Sequence, residues 1–160
     1  MTDYFLADTH FGHKNIVKET MGKDHRRFNS VEEHDNYIAN QWKKVVRKGD
    51  RVFLLGDVAF GKKNLEILGN LPGLKYLIMG NHDCYSTETY LKYFHKVLGS
   101  FDYHGYLLTH IPVSSTEKER WKGNIHGHLH SVSLHDDWYR CVSMEQLEDY
   151  TPIMFNKLCS

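Results

Sequence analysis

The sequence predicts two mixed β-sheets packed face to face with helices outside, and three observations carry that expectation. Continuous apolar runs at Tyr4-Phe5-Leu6-Ala7, Val52-Phe53-Leu54-Leu55 and Tyr76-Leu77-Ile78-Met79 have the texture of strands covered on both faces. Helix signals fall between these runs. From Phe101 onward, short strand-like runs separated by turn residues take over, so helix-alternating strands are followed by hairpin-like ones. With 160 residues and 41% hydrophobic content, the chain can bury one sizeable core, and a single domain over 1–160 is expected.

The elements follow in order. After the first run, a short helix is expected near 14–21. Ser30, three residues before Glu33, forms a capping box, and Val31, Ile38, Trp42, Val45 and Val46 recur at helical spacing behind it. Arg47 and Lys48 suit the negative end of that helix, and Gly49 is the expected left-handed stop. Another short helix is expected near 62–70. A further helix, capped by Ser86 or Thr87 and ended by Gly99, would bury Tyr90, Leu91, Phe94, Val97 and Leu98. Runs at 106–109, 123–126 and 138–142 supply the later strands.

Composition narrows the function. Lys plus Arg equals Asp plus Glu at 20 each, with a pI near 7.2, so no extended nucleic-acid track is expected. Cys84, Cys141 and Cys159 support neither a disulfide framework nor a thiolate zinc site, and a reducing cytoplasm is the expected location. No apolar run has membrane-spanning length, so no membrane partner is expected.

The chemistry lies in five polar motifs: Asp8-Thr9-His10, Gly56-Asp57, Gly80-Asn81-His82-Asp83, His110, and Gly127-His128-Leu129-His130. Three of them follow the apolar runs, where side chains leaving a sheet can converge. Asp8 and His10, two residues apart at a strand end, point the same way and can share a cation. Asp57 has two oxygens with which to bridge two ions. Asn81 offers a neutral oxygen, and His110, His128 and His130 offer nitrogens. This oxygen and nitrogen set without sulfur favours two divalent transition-metal ions, with manganese, iron, zinc and nickel as candidates. Two such ions, the carboxylates of Asp8 and Asp57 and a bridging hydroxide leave a net charge of about +1, which attracts phosphate. His82 remains free to meet a leaving oxygen as general acid, with Asp83 orienting its ring.

In this order the motifs resemble those of the calcineurin-like metallophosphoesterase superfamily, and Ala7-Asp8-Thr9-His10-Phe11-Gly12-His13-Lys14-Asn15-Ile16 resembles its small, uncapped bacterial and phage members. The resemblance implies a four-layer αββα sandwich. It also implies one metal on Asp8, His10, Asp57 and His130, a second on Asp57, Asn81, His110 and His128, and His82 as catalytic histidine. Asp57 is followed by Val58-Ala59-Phe60-Gly61, unlike the Asp-Arg-Gly continuation of protein serine/threonine phosphatases, and such an activity is not expected.

The expected reaction is in-line attack of a metal-bridging hydroxide on a small phosphoester, a nucleotide phosphodiester being preferred. A phosphomonoesterase, a short single-strand nuclease and a non-catalytic scaffold of the same fold are the alternatives. His13, Arg27 and Asn81 are candidate substrate contacts. Arg26 and Arg27 also read as a surface charge pair, and Tyr85 or Trp121 as a base-stacking or a packed ring. His25, His34, His95, His104, His126 and His135 read as structural or solvated.

Overall fold

The three apolar runs become β1 (Asp3–Leu6), β2 (Arg51–Leu54) and β3 (Leu74–Ile78) in the computed structural model, which describes residues 1–160. They pair in parallel, with Phe5 opposite Phe53 and Phe53 opposite Tyr76. That register stacks the three rings, with centroids 5.1 Å and 5.0 Å apart. β4 (Lys96–Leu98) adds a parallel edge beside β3, and β9 (Ile153–Met154) an antiparallel edge beside β1.

The second sheet has the order β5 (Phe101–Tyr103), β6 (Tyr106–Leu108), β7 (Gly123–His126) and β8 (Tyr139–Cys141). Its first pair is antiparallel and the others are parallel, so both sheets are mixed as expected. Tyr103 turns its ring edge onto Phe5 and Phe53, each 5.2 Å away. This edge-to-face contact joins the sheets through large, water-excluding rings.

Helix α1 (Val31–Val45) starts at Ser30, whose side chain accepts from Glu33 N at 3.0 Å. Glu33 completes the cap one residue further back than a capping box requires, accepting from Asn29 N. Ile38, Ala39 and Trp42 are buried, and Trp42 Nε1 donates to Pro72 O at 2.9 Å. The expected glycine stop is not used: Val46 already adopts an extended conformation, and Gly49 is not left-handed. Asp50 closes the turn instead, accepting from the backbone N–H groups of Arg47 and Thr2.

Residues 14–17 form turns, with a 3-10 helix at Glu19–Asp24, while Lys62–Asn70 is the expected short helix in 3-10 form. The helix expected up to Gly99 is corrected. α2 spans only Thr87–Tyr90, and Val97 and Leu98 are strand residues opposite Leu77 and Ile78. The exposed edge of β3 has unmade backbone bonds that this segment satisfies, which outweighs its helical periodicity. Tyr90 and Phe94 are buried, but Leu91 is 49% exposed. α3 (Phe155–Leu158) brings Phe155 against Tyr103.

All five polar motifs lie immediately beyond carboxyl ends of parallel strands: β1, β2 and β3 in one sheet, β6 and β7 in the other. Two sheets therefore deliver their ligand-bearing loops to one edge. Equilibrium urea unfolding checks the corrected segment: Leu91→Ala should change stability by less than about 0.5 kcal/mol, whereas Phe94→Ala should cost about 3–5 kcal/mol. Similar losses would restore the continuous helix.

Candidate metal centre

Each motif leaves its strand through a sharp backbone turn. Asp8, His10, Asp57, His128 and His130 all have positive φ, between 49° and 71°, a left-handed conformation uncommon for residues other than glycine. Concentrated strain of this kind marks sites held by surrounding structure. Neighbouring loops lock one another: Asp8 N donates to Gly56 O, His10 N to Asp57 O, and Gly127 N to His110 O. Gly80 is required by close approach, since a side chain there would begin 2.6 Å from Asp57 N.

Two ligand clusters result. Donor atoms of Asp8, His10 and His130 lie within 4.8 Å of one another, as do those of Asp57, His110 and His128. Asp57 Oδ2, in the second cluster, also faces the first, lying 3.4 Å from His110 Nε2 and 4.0 Å from His10 Nε2. Asn81 Oδ1 joins the second cluster, 3.0 Å from His110 Nε2. All seven residues expected to act as ligands are thus brought together.

Surrounding groups fix which atoms face the centre. Asp8 Oδ2 accepts from Ser143 Oγ at 2.7 Å and His128 N at 2.9 Å, leaving Oδ1 inward. Asp57 Oδ1 accepts from His82 N, leaving Oδ2 inward. His110 Nδ1 donates to Leu55 O at 2.6 Å, so Nε2 faces Asp57 with its lone pair in the neutral ring.

Burial works against charge here, yet both acids remain below the usual carboxylate range. For Asp57, burial raises the pKa, but His110, the His82 N–H and His10 bring it down to about 2. His10 is pushed by burial down to about 4. Burial also lowers His110, but Asp57 and Asp8 raise it to about 8. Two carboxylates thus stand among imidazoles at the centre.

The donor set fits divalent cations. Asp8 Oδ1 and both nitrogens of His10 are buried without a hydrogen-bond partner. Isolated buried polar atoms are costly, and a cation among Asp8, His10 and His130 would engage Asp8 Oδ1 and one His10 nitrogen. Oxygen and imidazole donors without thiolate suit borderline transition metals.

His82 lies at the exposed rim, with its ring centroid 6.2 Å from that of His10. Asp83 does not orient that ring: its carboxylate accepts backbone N–H bonds from Asp57, Val58 and Gly80. It is the clamp for the Asp57 turn. His13 stands beside His10, but its Nδ1 accepts from Asn15 N and Ile16 N. Arg27 is exposed. Arg26 is not part of a surface pair, being completely buried against Glu145. Tyr85 is half-buried near Tyr90, and Trp121 is half-buried beside Trp138.

Ser143 and Glu145, in a tail that resembles the end of the small members, had no role assigned from sequence; they lie behind Asp8 and His130. Phe60 had none either; its ring is 4.1 Å from His13 and 5.1 Å from His82. The string Ser143-Met144-Glu145, two acceptor-bearing residues just after a strand, was the available signal.

The model of the calcineurin-like phosphoesterase family matches residues 1–157. An uncharacterized protein from Methanocaldococcus jannaschii is 36% identical over 82% of this chain and 70% of its own length. The Gene 66 protein of Mycobacterium phage L5 is 30% identical, covering 91% of this chain and 92% of its own. A crystal structure of a protein of unknown function from Aquifex aeolicus superposes with a TM-score of 0.73 at 31% identity, covering 98% of this chain and 96% of that one. The family model spanning residues 1–157 and relatives matched along most of both chains make this chain a member of the calcineurin-like phosphoesterase family.

Proposed function

We propose that this chain is a dinuclear phosphoesterase for small phosphorylated molecules, a nucleotide phosphodiester being the preferred substrate. The observation that carries the reading is that Asp57 Oδ2, in one Asp/His cluster, also faces the other. Family membership supports metal-dependent hydrolysis of phosphoester bonds. The intact donor set argues against a non-catalytic scaffold.

Asp8, His10, His130 and Asp57 would hold one ion, and Asp57, Asn81, His110 and His128 the other. Divalent ions there supply Lewis acidity toward phosphate oxygens and an activated water; manganese is the first choice for assay. Asp57 would be common to both ions, because its Oδ2 faces His10 as well as His110. Its other oxygen holds the His82 backbone, so the same carboxylate positions the rim histidine.

His82 gives a proton to the departing alcohol oxygen as the P–O bond breaks, while water supplies the new oxygen on phosphorus. The ring is exposed beside Phe60, where an incoming ester can reach it. Phe60 is only half-buried, and its aromatic face supports the preference for a base-bearing substrate, because bases stack on such rings.

Hydrolysis of bis-aryl phosphodiester, cyclic-nucleotide, monoester and oligonucleotide substrates with manganese tests the class. The proposal expects the first two to be cleaved fastest, and preferential monoester cleavage contradicts the diester reading. His82→Ala should keep both ions while lowering turnover about 10²–10⁴-fold; wild-type rates would remove the acid role. Elemental analysis of Asp57→Asn should find at least one ion lost, and full occupancy would refute the bridge.

A further inference from the structure

Behind the first cluster lies a largely buried charge pair that the reaction does not require for contact with substrate. Arg26 has no exposed side-chain surface, and Glu145 has 8%. Glu145 Oε1 accepts from Arg26 Nε and also stands 2.8 Å from the NH2 nitrogen. The same oxygen lies 3.0 Å from His130 Nδ1, while Oε2 is buried with no partner.

The remaining guanidinium donors are used on the first motif and on α1. NH1 donates to Thr9 O at 3.1 Å, and NH2 to Asp8 O at 2.6 Å. NH1 also meets His34 Nε2 at 3.0 Å, and His34 Nδ1 donates to Asp35 Oδ1 at 2.7 Å. Arg26 thus ties together the Asp8 turn, α1 and the segment after β8.

Donor and acceptor chemistry then fixes the next step. Guanidinium can only donate, and an ionised carboxylate can only accept. Glu145 Oε1 takes the Arg26 Nε–H and lies 2.8 Å from the NH2 nitrogen, so the guanidinium pairs with a carboxylate that acts as acceptor. The proton in the contact with His130 must therefore reside on Nδ1. In the neutral ring this leaves a lone pair on Nε2, which lies 3.8 Å from the inward oxygen of Asp8.

We propose that Arg26 and Glu145 are a positioning pair that fixes the tautomer and orientation of His130 and thereby controls affinity for the ion of the Asp8/His10/His130 cluster. This rests on the reading of that cluster as a metal site. A buried ion pair stabilises a fold weakly compared with apolar packing, whereas carboxylates behind ligand imidazoles strengthen them as donors. The pair is also electrically balanced. Removing the Glu145 charge leaves Arg26 positive beside the cation.

Stepwise manganese titration of the purified full chain by calorimetry tests the pair without substrate. Glu145→Gln keeps an acceptor oxygen and should weaken one of two binding events about 10-fold; Glu145→Ala should weaken the same event about 100-fold. The other event should change less than about threefold. Equal weakening of both, or of neither, overturns the inference. Because Glu145→Ala strands a buried guanidinium and can unfold, the Gln variant with a retained unfolding transition decides the question.

Long-range nitrogen–proton NMR of the metal-free protein in alkaline buffer provides an independent readout. Wild-type His130 should carry its proton on Nδ1, and Glu145→Ala, or Glu145→Gln if Ala is unfolded, should move population toward Nε2. An unchanged tautomer overturns the inference. A wild-type protein that binds no manganese would instead end the hydrolytic reading and, with it, any role of this pair in ion affinity.

Discussion

Asp57 is the point at which both sheets meet chemically. Its strand belongs to the first sheet, yet its inward oxygen faces His110 at the end of a second-sheet strand as well as His10. For that contact to form, parallel strands from both sheets must end at the same edge. The aromatic layer of Phe5, Phe53 and Tyr103 holds the sheets in that relation. Packing in the middle of the molecule therefore sets ligand geometry at its edge.

The cost of this arrangement is local. Five ligand residues have left-handed backbones, and conformations of that sort cost about 1–3 kcal/mol each. The compensation is equally local: Asp83 holds three backbone N–H groups around the Asp57 turn, and Ser143 and His128 N hold Asp8. The acids around the centre thus differ sharply in use. Asp57 faces the centre, Asp83 clamps backbone, and Glu145 stands behind a histidine.

Much of the fold was legible because β1, β2 and β3 are continuous apolar runs and Ser30 is a clear helix start. The convergence of candidate ligands was legible because the five motifs stand in a known order and three of them directly follow apolar runs. β4 was not, since Val97 and Leu98 fit a helical stripe equally well and only the unmet edge of β3 decides between them. Asp83 was misassigned because proximity in sequence to His82 carries no information about where its carboxylate points. Arg26 lies in a stretch without periodicity, and its partner Glu145 is 119 residues away, so nothing local pairs the two. The Gly49 stop failed because the Asp50 side chain supplied the turn bonds first.

Anomalous diffraction from crystals grown with manganese is the most direct measurement of the central claim. The account predicts two peaks about 3.5–4 Å apart, one beside Asp8, His10 and His130, the other beside Asn81, His110 and His128, with Asp57 touching both. A single peak, or two peaks without Asp57 between them, would contradict it.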